Sequence, residues 1–204
     1  MTGSEPAEWL VFDYGEVLCR RTDALPELAG RLDVPPATFE PAYWAHRDPY
    51  DRGAADDAYW QAVGDTVDAD VDLDTVRELA AIDARGWSTL DPAAEQLIES
   101  LAGQGRKLAL LSNAPKSFAR HAEQQPWTRH FRELVFSGDV GMAKPDADIY
   151  RLLVQRLGCA PGDCLFFDDR QINIDAPGPP ASAPNSGPAP TKQPPSSDRL
   201  PRAP

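Results

Sequence analysis

The sequence predicts an α/β fold: a parallel sheet covered by helices on both faces, with a small helical cap inserted after the first strand. Three observations support it. Four short apolar runs have strand length, and from residue 91 onward they alternate with helical patterns, as in parallel strands joined by crossover helices. The long segment between the first run and residue 91 reads only as helices. Finally, the runs lead into acids, a serine and a loop lysine, which gathers chemistry at the carboxyl edge of such a sheet.

The first run, WLVFD at 9–13, is a buried strand ending on Asp13. In the cap, DALPELAGRL, PATFEPAYWAH, DDAYWQAV and LDTVRELAAI are each helical in pattern, set apart by Pro and Gly. The core resumes with DPAAEQLIESLAGQG, where Asp91 is the expected N-cap, Pro92 the first helical residue and Gly103 the stop. KLALLSN at 107–113 and ELVFSG at 133–138 are the second and third strands. PDADIYRLLVQRLG at 145–158 is a helix with an apolar face at Ile149, Leu152, Leu153 and Leu157, closed by Gly158. CLFFDD at 164–169 is the fourth strand. The predicted division is 1–16 with 86–175 as the core and 17–85 as the cap.

The 204 residues suffice for one domain with a modest insert. A net charge of −12 argues against nucleic acid or an anionic membrane as partner. An acidic protein that takes an anionic substrate needs a local cationic site, and a metal ion supplies one. Cys19, Cys159 and Cys164 are an odd set with no CxxC pair, which argues against a disulfide framework or a zinc site. Reduced thiols and a cytoplasmic location are expected. The opening MTGSEPAEW has neither the basic region nor the apolar run of a signal peptide. The longest apolar runs, such as LALL at 108–111, are too short to span a bilayer.

The four strand ends carry Asp13, then Ser112 and Asn113, then the loop SGDVGMAKP with Lys144, then Asp168 and Asp169. Carboxylates held side by side repel unless a cation intervenes. Mg²⁺ suits a carboxylate pair and keeps waters for a phosphate. A carboxylate can also act as nucleophile and form an aspartyl phosphate. Attack on a phosphate dianion brings two anions together, and a metal with a lysine screens that charge. A hydroxyl and a free backbone N–H at a strand end can hold the remaining phosphate oxygens.

This set resembles the haloacid dehalogenase (HAD) superfamily of hydrolases. The motifs are VFDYGEVL, LLSN, GMAKPD and FFDD, in family order from residue 9 to about 175. The segment between the first two is similar to the family's helical C1 cap. The resemblance implies a Rossmann-like core and a Mg²⁺-dependent phosphatase acting on a small phosphorylated metabolite. It implies Asp13 as nucleophile and metal ligand, with the backbone carbonyl of Gly15 as a second ligand. Ser112 and the backbone of Asn113 would bind the phosphoryl group. Lys144 would neutralise charge, Asp169 would ligate Mg²⁺, and Asp168 would act as a ligand or stand just behind one.

One position departs from the family pattern. Most of its phosphatases carry a second Asp two residues after the nucleophile, as general acid and base; here it is Gly15. Such help is typically worth roughly 10²–10⁴ in rate. Similar branches with an FDxGxV motif, sugar-phosphate phosphatases among them, also carry Gly there. A good leaving group, such as a sugar 1-phosphate, a cap residue or a water could compensate; Glu16 is expected to point elsewhere. In the cap, YWAHRDPYDRG at 43–53 concentrates polar and aromatic groups near a predicted turn. His46, Arg47, Tyr50, Asp51 and Arg52 are candidates to contact the leaving group, against packing of Tyr43, Trp44 and Tyr50 in the cap's own interior. His121 and His130 are read as surface.

Two other classes stand beside this one. A metal-free dehalogenase also uses an aspartate nucleophile, but its chemistry has no use for the doubled acid at 168–169. A non-catalytic remnant is the second, because composition breaks after Asp175 into APGPPASAPNSGPAPTKQPPSSDRLPRAP. Pro177, Pro179 and Pro180 would stop a helix there, and 176–204 is expected to be a disordered Pro-rich tail. The family pattern would continue with a helix, a strand and a final helix, so a shifted frame or truncation near residue 175 is expected. PxxP-like spacing in the tail could serve SH3-type domains.

Overall fold

A computed structural model describes residues 8–176. The predicted Pro-rich tail, its PxxP spacing and the segment where a shifted frame is expected lie outside the described residues, Asp175 and Ala176 aside.

Four strands form one parallel sheet in the order β3-β2-β1-β4: β1 (Trp9–Phe12), β2 (Lys107–Ser112), β3 (Glu133–Phe136) and β4 (Cys164–Phe167). The pairing is in register at the carboxyl edge. Phe12 lies opposite Leu110 in β2 and Phe167 in β4, and Ser112 lies opposite Phe136. The Asp13 N–H donates to Phe167 C=O at 2.8 Å, so the first acid leaves the sheet directly beside the end of β4. All four strands coincide with the sequence expectation to within two residues at their ends.

Alternating side chains feed two apolar layers. Leu10, Phe12, Leu108 and Leu110 pack on one face with Ile98 and Phe118. Trp9, Val11, Ala109, Leu111, Val135 and Phe166 pack on the other against Ile149, Tyr150, Leu153 and Leu157. A third cluster, independent of the sheet, lies within the inserted helices and includes Leu28, Phe39, Tyr43, Tyr50, Trp60 and Leu79.

The inserted helices are α1 (Leu25–Arg31), α2 (Pro36–Ala45), α3 (Arg47–Asp51), α4 (Asp56–Val67) and α5 (Leu73–Gly86). The core helices are α6 (Pro92–Gly103), α7 (Lys116–Ala122), α8 (Ser137–Val140), α9 (Ala147–Leu157) and α10 (Gln171–Ile174). Asp91 caps α6 as expected, its side chain accepting the Ala93 N–H at 2.9 Å. Gly158 ends α9 at φ +63°, where glycine is favoured. The buried face of α9 carries Tyr150 as well, and Leu152 sits half-buried at its margin.

Four helices depart from the sequence reading: α7 has no counterpart in it, α8 takes Ser137 and Gly138 from the expected end of the third strand, and α3 and α10 are the other two. Residues 47–51, expected near a turn, form the short helix α3, held by side-chain contacts rather than by propensity. A short α10 follows the fourth strand before the prolines begin. Among the described residues, no helix is long and apolar enough to cross a membrane, and Cys19, Cys159 and Cys164 carry free thiols.

Candidate active site

The strand ends converge. Asp13 follows β1, Ser112 ends β2, Lys144 lies in the loop before α9, and Asp168 and Asp169 follow β4. Oxygens of Asp13, Asp168 and Asp169 all lie within 4.8 Å of one another. The Lys144 ammonium sits between two of these acids, 2.8 Å from Asp13 Oδ1 and 2.7 Å from Asp168 Oδ2. Its side chain is fully buried.

Each group is held by its own supports. Asp13 Oδ1 also accepts the Tyr14 N–H at 2.7 Å. The turn after β1 hangs on the Tyr14 carbonyl, which accepts from both the Leu18 and Cys19 N–H groups. Asp168 Oδ1 accepts the Arg170 N–H at 2.9 Å and the Asn173 amide at 2.8 Å. Both Asp168 oxygens are therefore engaged by the protein, whereas Asp169 is exposed. The Asn113 side chain makes a reciprocal pair with the Lys144 backbone: it donates to Lys144 C=O and accepts the Lys144 N–H, both at 2.8 Å. The sequence marks Asn113 for its backbone; its side chain proves to be the brace that aims Lys144.

Burial and neighbouring charge shift the acids. Burial raises the Asp13 carboxyl to about 6, opposed by the Lys144 ammonium and reinforced by Asp168. Asp169, exposed on one side, is also raised, by partial desolvation against the protein and then by Asp168. Three carboxylates face one ammonium, which leaves two negative charges uncompensated. An all-oxygen donor set with that excess fits a hard divalent cation such as Mg²⁺.

Beside this cluster lies a cavity of about 110 Å³ between sheet edge and cap. Gly15, Ser112 and Asn113 line its core side, and Trp44, Arg47 and Asp51 its cap side, with Tyr14, Trp87 and Phe118 as apolar walls. The cap candidates thus separate. Arg47 and Asp51 reach the cavity. His46 pairs with Thr66, and Arg52 with Asp48 and Asp146. Tyr50 is buried in the cap interior, its hydroxyl bonded to Asp56 and Ser117. Tyr43 packs there too, while Trp44 borders the cavity. Glu16 is exposed.

Arg47 is itself tied into a buried network. Its guanidinium donates to Asp51 Oδ1 at 2.9 Å, to Asp83 Oδ2 at 3.0 Å and to the Tyr43 hydroxyl. The Tyr43 hydroxyl donates to Asp83 at 2.6 Å and accepts the Trp87 indole N–H at 3.0 Å. Trp87, Phe118 and Asp83 lie outside the sequence motifs, and Tyr14, inside VFDYGEVL, is given no role there. Tyr14 and Trp87 stand 73 positions apart and meet through a 2.7 Å hydrogen bond from the Tyr14 hydroxyl to Trp87 C=O.

Comparison with known proteins identifies the family and the fold. Residues 8–178 match the family model of haloacid dehalogenase-like hydrolases. A flavin mononucleotide hydrolase of Arabidopsis thaliana is 29% identical over 105 residues, 52% of this chain and 41% of that protein. A phosphorylated carbohydrates phosphatase of Thermotoga maritima is 28% identical over 87 residues, 42% of this chain and 40% of that protein. The matches thus span about two fifths of these relatives' lengths. A HAD-family enzyme of Bacteroides thetaiotaomicron, solved with magnesium and inorganic phosphate, superposes with a TM-score of 0.63 at 16% identity, covering 83% of this chain and 88% of that one. An L-2-haloacid dehalogenase of Xanthobacter autotrophicus gives 0.67 at 19%, covering 82% and 71%. At these identities the structural likeness establishes the fold.

Proposed function

From the premise that this chain belongs to the haloacid dehalogenase-like hydrolases, we propose that it hydrolyses the phosphate monoester of a small metabolite, a sugar phosphate by preference. The single observation that carries this reading is the two-charge excess of carboxylate around Lys144, next to a cavity bordered by Ser112 and Asn113. That combination suits a divalent cation and a phosphate together, and residues 17–85 act as the cap over them.

Asp13 attacks phosphorus and forms an aspartyl phosphate. Lys144 screens the approach of the two anions. The Ser112 hydroxyl and the Asn113 backbone hold the phosphoryl oxygens. Asp13, Asp169 and the Gly15 carbonyl would hold Mg²⁺, with Asp168 joining them or anchoring Lys144 from behind. When bound, the cation supplies charge neutralisation for the phosphate. No nucleic acid or membrane partner is called for by a chain of this charge, and the reduced thiols suit a cytoplasmic setting.

The test is phosphate release from a panel of sugar phosphates and p-nitrophenyl phosphate, with Mg²⁺, with EDTA, and with Asp13→Asn as blank. Release that needs Mg²⁺ and vanishes in the variant is the expected result. Turnover retained by pure Asp13→Asn protein refutes the nucleophile. Halide release from 2-haloacids that persists in EDTA would replace the phosphatase reading with the dehalogenase one.

A further inference from the structure

We propose that Asp51, carried by the cap, donates the proton to the leaving oxygen, so that the enzyme's substrates include phosphate esters of unactivated alcohols. This rests on the phosphatase reading and extends it to the step that Gly15 leaves without a donor.

The cavity limits the choice. Gly15 has no side chain, Glu16 is exposed, and the Tyr14 hydroxyl is committed to Trp87 C=O. Across from Gly15, Ser112 and Asn113, the cap contributes Trp44, Arg47 and Asp51. The space between is about 110 Å³, room for about three or four waters. A phosphoryl group held at the sheet edge therefore brings its ester oxygen against the cap wall, and Asp51 is the carboxyl there.

Its surroundings suit both halves of the task. The Asp51 side chain is only 17% exposed. Burial pushes its carboxyl up to about 6, against the pull of Arg47, with Asp83 and Asp48 adding to the rise. One guanidinium faces two buried carboxylates, Asp51 and Asp83, so the pair leaves Asp51 short of a full counter-charge. When Asp51 gives up its proton, Arg47 Nε at 2.9 Å stabilises the carboxylate left behind. The backbone is held as well, since Ser137 in the core donates its hydroxyl to Asp51 C=O.

The step balances. An Asp13 oxygen forms a bond to phosphorus as the P–O ester bond breaks, and the Asp51 proton passes to the departing oxygen, releasing an alcohol. Asp51, now a carboxylate, takes a proton from the water that attacks the aspartyl phosphate. The water oxygen bonds to phosphorus as the P–O bond to Asp13 breaks, inorganic phosphate leaves, and Asp13 is restored as a carboxylate and Asp51 as an acid.

The experiment compares wild type, Asp51→Asn and Asp51→Glu on esters of differing leaving-group strength. Asn keeps an acceptor for Arg47 but has no acidic proton, and thermal melts check that each variant folds. Asp51→Asn should lose roughly 10²–10⁴ in kcat on a sugar 6-phosphate but less than about tenfold on p-nitrophenyl phosphate, whose leaving group needs little protonation. Asp51→Glu should recover part of the loss on the sugar ester alone. An equal loss on both esters, or none on either, overturns the proposal; an equal loss would leave Asp51 only positioning Arg47. A wild type that releases no phosphate from any ester fails at the earlier reading, and that failure appears before any variant is compared.

Discussion

Lys144 Nζ lies 2.7 Å from Asp168 Oδ2, and neither side chain is exposed. The same ammonium is 2.8 Å from Asp13 Oδ1, so a single buried charge serves two acids. Removing one partner from a buried ion pair costs about 3–5 kcal/mol, because the survivor stays unpaired. Lys144→Met should therefore lower the metal-free melting temperature by roughly 10 °C for a chain this long. Lys144→Arg should not rescue it, since a planar fork does not fit the place of a compact ammonium. A melt within a degree or two of wild type would mean that the acids do not depend on this lysine.

The cap meets the core where glycine faces glycine. Gly53, at φ +98°, approaches Gly138 so closely that an added Cβ would lie 2.6 Å from Gly138 O. Nearby, Ser137 donates to Asp51 C=O and the Tyr50 hydroxyl meets Ser117 Oγ at 2.8 Å. Alanine at 53 would be strained by its backbone and would also push the two parts apart. Gly53→Ala should cost more than about 1 kcal/mol, at least roughly 2–4 °C in Tm. Unchanged stability would show that this contact is looser than its geometry.

The strands and the polar residues at their ends were legible because a single rule links them. An apolar run buried on both faces must shed its polar residues at its end, so Asp13, Ser112 and Asp168 mark the sheet edge in the sequence itself. Helices α6 and α9 were legible through their caps, Asp91 and Gly158. Helix α3 was not, because its five residues are ordered by Arg47's bonds to Asp83 and Tyr43, partners 36 and 4 positions away. The cavity walls were hidden for the same reason. Tyr14 and Trp87 become neighbours only when the cap folds back, and no local pattern records that. Asn113 was legible as a position but not as a brace, since its side-chain partner lies 31 residues on.

Gly15 offers a direct test of what its missing side chain leaves undone. An added Cβ there meets nothing within 4 Å, and its φ is not in the left-handed region. Gly15→Asp should therefore fold with a Tm close to wild type. It would place a second carboxyl beside Asp13, and the repulsion between them would keep one protonated. The expected outcome is a higher kcat on alkyl phosphate esters, with little change on p-nitrophenyl phosphate. A fall on both esters would show that the added carboxyl competes for the metal or the phosphate instead.

Metal binding can be separated from turnover by heat. A ligand that binds only the native state stabilises it by RT ln(1 + [L]/Kd), about 2.7 kcal/mol at a hundredfold excess over Kd. For this chain that corresponds to roughly 5–10 °C. Titrating Mg²⁺ should raise the Tm of wild type along such a curve, and EDTA should reverse it. Asp169 is the discriminating residue. It is exposed, whereas Asp168 is already engaged by Lys144, Arg170 and Asn173. Asp169→Asn should leave the metal-free melt nearly unchanged and flatten the Mg²⁺ response. Asp168→Asn should lower the metal-free melt as well, because it strips Lys144 of its nearest counter-charge. If both variants responded to Mg²⁺ as wild type does, the ion would have to bind away from these carboxylates.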